Sequence, residues 1–312
     1  GWESFPSYLD AFIPLVLDIL DDLNLNITFF IVGQDAALEK NYDALKLITE
    51  RGHEVGNHSF NHEPWLHLYS PEELSTELGR AEDAIQSATG VKPQGFRGPG
   101  YSLSEEVLRE LNRRGYAYDC STFPTVIGPL ARAYYFAKAR LGAAQKEKRK
   151  SLFGGMSDGF RPLKEYRWDL GNAHMLEIPV TTMPFSRVPI HFSYLQWLAG
   201  MSDRLASTYF ATGLRMCRLG GVTPSMLLHP LDFIGGDDVS ELSFFPAMNQ
   251  SSADKMRRMQ HYVKMLTDAY EPVPMGVHAD RLKQAALPLR KPDFPDVEEL
   301  PTSAQEKAEV QQ

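Results

Sequence analysis

Two histidines four residues apart, His58 and His62, end the stretch Gly52-His53-Glu54-Val55-Gly56-Asn57-His58-Ser59-Phe60-Asn61-His62. Four residues make about one turn of helix or tight loop, so both imidazoles can point the same way. Two neutral imidazoles converging on one point are half of a divalent transition-metal site. The spacing also arises by chance on surfaces. The setting adds to it, because the pair follows a short alternating strand, and loops at strand ends are where α/β proteins place their chemistry. Three more polar groups stand at such ends: Arg97 before Gly98-Pro99, Asp119 after Tyr118, and His229 before Pro230. Alone, each is usually structural. In a parallel barrel, however, every strand opens onto the same face, so residues far apart in sequence meet there.

The elements that would position them alternate. After a loop at 5–12, Pro14 suits the first turn of a helix over 15–23. Residues 27–32 are β-rich and apolar on both faces, as in a buried parallel strand. A helix over 36–51 stops at Gly52. Ser70-Pro71-Glu72-Glu73 opens a helix with a capping box, which runs to Gly90. Residues 94–97 and 116–121 are the strands that carry Arg97 and Asp119, with a helix between them that Ser102-Leu103-Ser104-Glu105 caps and Gly115 ends. Further on come a strand at 175–180, one long helix over 194–218, and a strand at 225–228 leading into His229. A helix over 252–270, a closing strand at 272–275 and a short helix at 278–282 follow. Strand and helix in alternation predict an α/β chain built on a parallel sheet or barrel.

One domain spans 1–287, with an inserted helical segment at 126–172, and 288–312 read as a mobile tail rich in proline and charge. Within the insertion, the basic stretch 132–150 reads as a solvated helix. Contact with a membrane surface or a partner is the alternative. The 312 residues are 43% hydrophobic and 23% charged, which are globular values. A net charge of −8 argues against a nucleic-acid partner and leaves neutral substrates, or ones held by local features. Cys120 and Cys217 are too few for a disulfide scaffold or a cysteine zinc site and read as buried free thiols. No apolar run is long enough to span a bilayer. No leader peptide is visible, which favours a cytoplasmic location as an expectation, although the chain starts at Gly1 rather than Met.

The ordered motifs resemble those of the polysaccharide deacetylases with a NodB homology domain, over about residues 14–282. Thr28-Phe29-Phe30-Ile31-Val32-Gly33 resembles that family's strand after its first helix, and the His58/His62 stretch its metal motif. Phe96-Arg97-Gly98-Pro99-Gly100-Tyr101 resembles its Arg-x-Pro motif, and Leu227-Leu228-His229-Pro230 its last catalytic motif. The resemblance implies a distorted (β/α) barrel with fewer than eight regular strands. It implies metal-dependent hydrolysis of an acetamide on an amino sugar of a polysaccharide or glycan precursor. His58 and His62 would hold a divalent ion, Zn2+ before others, acting as a Lewis acid on the acetyl carbonyl and lowering the pKa of bound water. His229 would be the general acid for the leaving amine, and Arg97 would orient the catalytic base. An N–H in the turn Pro99-Gly100-Tyr101 would donate to the oxyanion, worth about 3 kcal/mol in other hydrolases. Asp119 would line the site or pair with Arg97.

Two departures accompany the resemblance. The family's first motif, Thr-Phe-Asp-Asp, supplies the base and the third metal ligand just before the first helix, and nothing like it stands between Gly1 and Pro14. The expectation is an Asp upstream of Gly1, with the first strand outside the chain. Asp10 and Glu3 are stand-ins whose plainer reading is loop carboxylates. The family's Asp-x-x-Asp-Trp motif is also not evident, which leaves the partner of His229 open, with Asp232 a candidate. His53 reads as a core histidine, His67 as a surface one and Trp65 as packing, while His174, His191, His261 and His278 have no assigned partner. Two rival functions remain: hydrolysis of a small cyclic amide or ureide on the same fold, and glycan binding without catalysis in a relative that lacks the base.

Overall fold

A computed structural model describes residues 2–4, 7–127, 158–239 and 247–294. Its centre is a seven-stranded sheet in the order β1-β2-β3-β4-β6-β5-β7. The strands are β1 (Thr28–Ile31), β2 (Glu54–Asn57), β3 (Gly95–Phe96), β4 (Tyr118–Asp119), β5 (Tyr166–Asp169), β6 (His174–Glu177) and β7 (Leu289–Arg290). From β1 to β4 and on to β6 the pairing is parallel. Then β5 returns antiparallel to β6, and β7 lies parallel to β5. One row of the register runs Ile31↔Asn57, Asn57↔Phe96, Phe96↔Asp119, Asp119↔Glu177. That row is the C-terminal rim. It places the residues just after β2, β3 and β4 side by side, as a distorted α/β barrel requires.

The helices that flank the sheet are α1 (Leu9–Asp22), α2 (Gly33–Ala36), α3 (Tyr42–Glu50), α4 (Pro71–Thr89), α5 (Glu105–Arg113), α6 (Phe192–Ala199), α7 (Asp203–Gly220), α8 (Ser252–Thr267) and α9 (Met275–Leu282). The α4 capping box forms as its sequence predicts: Ser70 Oγ accepts the Glu73 N–H at 3.3 Å, and Glu73 Oε2 accepts the Ser70 N–H at 2.9 Å. Gly90 ends α4 at φ +77°. Such an αL stop suits glycine, which has no Cβ to clash. One core lies between α1, α3 and the helices α6–α8, around Leu17, Ile48, Leu195 and Phe210. A second, around Leu78, Phe96, Leu108 and Trp168, closes the other side of the sheet. Each such side chain contributes about 1.5–3 kcal/mol by leaving water.

Several elements differ from the sequence expectation. α1 begins before Pro14, because Phe12, Ile13, Val16 and Leu17 form one continuous buried face. The hydrogen bond that Pro14 cannot make would have gone to exposed Asp10, whose carbonyl water can satisfy. β1 is half-buried rather than buried on both faces, since it is an end strand of the sheet. The helix expected at 36–51 breaks into α2, a 3-10 turn and α3. The buried Asn41 amide competes for the Asp35 carbonyl at 2.8 Å and stops α2. The helix expected at 194–218 divides after Gly200, where Ser202 Oγ accepts the Leu205 N–H and opens α7.

Residues 225–228 are not a ladder strand. Their carbonyls are used by loops, Ser225 O by the Thr181 N–H and Leu227 O by the Phe192 N–H. Nor are residues 272–275, which lead into α9, where the Met275 N–H meets Thr28 Oγ1 at 2.8 Å. β5 falls inside the expected insertion. Its buried residues, Tyr166 and Trp168, alternate with the half-buried Arg167 and Asp169. The basic stretch 132–150 lies outside the described residues. The tail is ordered at its start: β7 pairs with β5, and the Phe294 ring lies 5.4 Å from that of Trp168. Residues 295–312 lie outside the described residues. Among the described residues, no helix is long and apolar enough to cross a membrane.

Candidate active site and metal pair

His58 follows β2 directly, and its N–H continues the ladder to Ile31 O at 3.0 Å. Its Nδ1 lies 2.6 Å from the Arg97 carbonyl. A carbonyl can only accept, so Nδ1 carries the proton and Nε2 presents a lone pair. The Nε2 of His62 sits 3.2 Å from the Nε2 of His58. Two nitrogens about 2.0–2.1 Å from one tetrahedral ion stand about 3.3 Å apart, so the donors present fit a divalent cation. Burial first, and then the neighbouring His62, push the His58 pKa down to about 3. Burial first, and then His229, push that of His62 down. Both imidazoles are therefore neutral and able to ligate.

The turn between them is held in an uncommon shape. Ser59 and His62 both have left-handed backbones, at φ +61° and +56°, worth about 1–2 kcal/mol of strain each in a residue with a Cβ. Short bonds offset that strain. Asn57 Oδ1 accepts the Ser59 N–H at 2.8 Å, and Ser59 Oγ accepts the His62 N–H at 3.0 Å. From α4, the buried Glu77 Oε1 accepts the N–H groups of Phe60 at 2.9 Å and Asn61 at 2.6 Å, while its Oε2 accepts the Asn61 side-chain amide. Glu77 was not singled out from the sequence. Its signal is a carboxylate on the apolar stripe that Leu74, Leu78 and Ala81 form.

Arg97 leaves the end of β3 buried, donating from Nε to Cys120 O at 3.2 Å, with its guanidinium 4.6 Å from the Phe30 ring centre. The next turn needs Gly98, where a Cβ would meet Ser102 O at 2.0 Å. In Pro99–Tyr101 the Tyr101 N–H is taken by Gly98 O at 3.0 Å, and proline has none. That narrows the expected oxyanion donors of this turn to the exposed Gly100. Asp119 ends β4 with no exposure, so it lies beneath Arg97 rather than lining the mouth. Its carboxylate accepts Ser121 Oγ at 2.6 Å and Ser121 N–H at 3.1 Å, and Glu177 of β6 hydrogen-bonds it. Glu177 also accepts the Thr122 N–H and the Trp168 Nε1–H, each at 2.9 Å.

His229 stands on the same rim. Its charge would be felt at both His58 and His62, and Arg97 acts on it in turn. Its pKa is pushed down, by desolvation first and Arg97 second. The open question of its partner resolves on Ser193 of α6, whose Oγ lies 3.0 Å from His229 Nδ1. Asp232 instead caps the following turn: Oδ2 accepts the His229 N–H at 2.7 Å and lies 3.9 Å from the ring. Beside them, Tyr101 stacks on Phe123 at 4.6 Å, and His191 lies 6.1 Å from His229. His191, unassigned from the sequence, is 7% exposed, and its Nδ1 has no hydrogen-bond partner.

The remaining candidates do not group with the histidine pair. Asp10, in the first turn of α1, accepts the Ala11 N–H at Oδ1 at 3.0 Å, and Glu3 is exposed. Among the described residues, no third histidine, cysteine or carboxylate groups with His58 and His62. His53 is a core histidine that accepts the Ile27 N–H at 3.1 Å. His67 is half-buried rather than on the surface, its Nδ1 2.7 Å from Ser102 Oγ. His278 pairs with Glu165 at 2.6 Å and His261 with Ser207 at 3.0 Å, while His174 is exposed. Cys120 and Cys217 are buried and free.

Comparison with known proteins finds relatives for the part of the chain that carries His58, His62 and Arg97. Residues 3–118 match the family model for polysaccharide deacetylase, so this part of the chain is similar to that family. The peptidoglycan-N-acetylmuramic acid deacetylase PdaA of Bacillus subtilis is 32% identical over 110 residues, 35% of this chain and 41% of that protein. A peptidoglycan-N-acetylglucosamine deacetylase of Bacillus cereus is 32% identical over 98 residues, 31% of this chain and 34% of that protein. The match therefore spans less than half the length of either relative. In three dimensions, a protein of Mycobacterium smegmatis described as a candidate polysaccharide deacetylase aligns with 92% of this chain and 82% of its own. The TM-score is 0.57 at 16% identity, which extends the likeness of fold well past residue 118.

Proposed function

We propose that the chain is a metal-dependent hydrolase that removes N-acetyl groups from amino sugars of a polysaccharide or glycan precursor. The observation that carries this reading is the meeting of the His58 and His62 Nε2 atoms at 3.2 Å on the rim that also holds Arg97 and His229. The names of the relatives matched over residues 3–118 support the same substrate class. His58 and His62 would hold the ion, Zn2+ before others, which supplies a Lewis acid for the acyl oxygen. The Arg97 carbonyl keeps the His58 lone pair aimed at it. Ser193 steadies Nδ1 of His229, so Nε2 faces the substrate. Neutral His229 would take at Nε2 the proton that the attacking water loses and then return it to the leaving amine nitrogen, which balances acetamide and water against acetate and amine. Gly100 offers its N–H to the oxygen on which charge develops.

The test uses the full chain with added Zn2+ and an N-acetylglucosamine oligomer. One ion per chain and release of acetate are expected, and His62→Ala should abolish both while the protein stays folded. Ammonia or ring-opened products from cyclic amides, without acetate, would favour the ureide chemistry. Oligomer binding with no acetate would favour a glycan-binding relative. Failure of the folded protein to retain any divalent ion would overturn the reading.

A further inference from the structure

One fully buried charge near the rim is not part of the chemistry described so far. Lys255 on α8 has no exposure. It starts a stripe that continues Met259, Tyr262, Val263 and Leu266. Packing alone would call for a methionine or leucine there, since a buried ammonium is unfavourable unless it is paired. Its Nζ donates to the carbonyls of Leu231 and Ile234, each at 2.9 Å, and lies 3.3 Å from Met248 Sδ. Both carbonyls belong to the turn that follows His229. Between them stands Asp232, 2% exposed, whose charge acts on Lys255 and whose Oδ2 takes the His229 N–H at 2.7 Å. Gln196 on α6, 1% exposed, ties the two helices together. Its Nε2 donates to Asp232 O at 3.0 Å and to Lys255 O at 2.9 Å.

We infer that Lys255 is a positioning residue for His229, anchoring the turn 229–234 from beneath with Asp232 and Gln196. The inference rests on the reading of His229 as the proton donor to the leaving amine. Lys255 reaches neither solvent nor substrate, so it can act only through the backbone it holds. Four groups of that turn are fixed: the His229 N–H and the carbonyls of Leu231, Asp232 and Ile234. The turn starts from an extended His229, at φ −121° and ψ 158°. A shift in its anchors swings the imidazole directly, and misplacement by about 1 Å can slow a step on the order of 100-fold.

Lys255→Met in the full chain tests this, with Lys255→Gln, which keeps a donor, as the second variant if the first does not fold. Hydrogen exchange should quicken at least about tenfold at residues 229–236, while residues 54–62 and Zn2+ binding stay as in the unmodified protein. On an N-acetylglucosamine oligomer, kcat should fall about 10–100-fold with KM within about twofold. In a His229→Ala background the same substitution should change kcat by less than about twofold, because the two residues act as one unit. Unchanged exchange at 229–236, or an equal loss of kcat on both backgrounds, would overturn the inference. If the unmodified protein releases no acetate, the deacetylase reading fails, and the exchange measurement still decides the role of Lys255.

Discussion

Glu177 and Asp119 face each other across β6 and β4 with no access to water, and two carboxylates so placed cannot both ionise. Burial first, and then the charge of Asp119, push the Glu177 pKa well above its ordinary 4.5, so Glu177 holds the proton. The consequence for stability has a definite sign. Unfolded Glu177 loses its proton near 4.5 and folded Glu177 keeps it, so this contribution is complete below 4.5 and falls away as pH rises towards the folded value. Glu177→Gln cannot ionise. It should lose one of the two N–H partners, Thr122 or Trp168, at a pH-independent cost of about 1–3 kcal/mol. Its stability relative to the unmodified chain should then be higher at pH 8 than at pH 4.5, because only the unmodified chain must keep a proton on this side chain as pH rises. Urea unfolding of both proteins at the two pH values measures this, and a difference that does not move with pH would place the proton elsewhere. The sequence marked Asp119 but not its pairing with Glu177, because that depends on sheet register between residues 58 positions apart. His58, His62, Arg97 and His229 were legible because each stands at a strand end or strand-like end beside glycine, proline or a turn. Ser193 and Lys255 were not, because their bonds to His229 and its turn exist only once α6 and α8 reach it.

At the scale of elements, α4 does more than cover the sheet. It presents Glu77 to the turn that carries His62, and the left-handed Ser59 and His62 depend on that support. Removing the carboxylate leaves the buried Phe60 N–H and the part-buried Asn61 N–H without an acceptor and frees the strained turn to relax. Glu77→Ala should therefore weaken Zn2+ binding about 10–100-fold, as loss of residues that orient metal ligands does elsewhere, and lower stability by about 1–3 kcal/mol. Competition with a chromogenic chelator reads the first and thermal unfolding the second. Full Zn2+ affinity in a destabilised Glu77→Ala protein would show that the turn holds its shape unaided. The capping box of α4 was readable because all its chemistry lies within four residues. The breaks after α2 and α6 were not, since each is set by a competing local bond, from Asn41 or Ser202, that helix periodicity does not register.

At the scale of the molecule, the sheet reads as a strip with β1 at one end and β7 at the other, and the tail determines how the second end is finished. Composition suggested that everything from 288 onward would be mobile, since prolines and charges dominate it. Instead β7 pairs with β5 through Leu289 and Arg290, the Arg167 N–H reaches Pro288 O at 2.9 Å, and Phe294 covers Trp168. Trp168 in turn donates to Glu177, so the tail supports the floor beneath Asp119 and Arg97 without touching the His58 and His62 pair. A chain ending at residue 287 should thus bare the β5 edge and one face of Trp168, with a loss of about 2–4 kcal/mol from ladder bonds and apolar area together. For a domain of this size that is a fall in Tm of roughly 4–16 °C. Trp168 fluorescence should shift to the red as water reaches the indole, while Zn2+ affinity stays at that of the full chain, because His58 and His62 lie on β2 and its loop, four strands away in the sheet order. An unchanged Tm would mean that the β5–β7 pairing contributes nothing to the fold. A lost Zn2+ site would mean that the rim is a single cooperative unit and not a set of loops that strand ends position one by one.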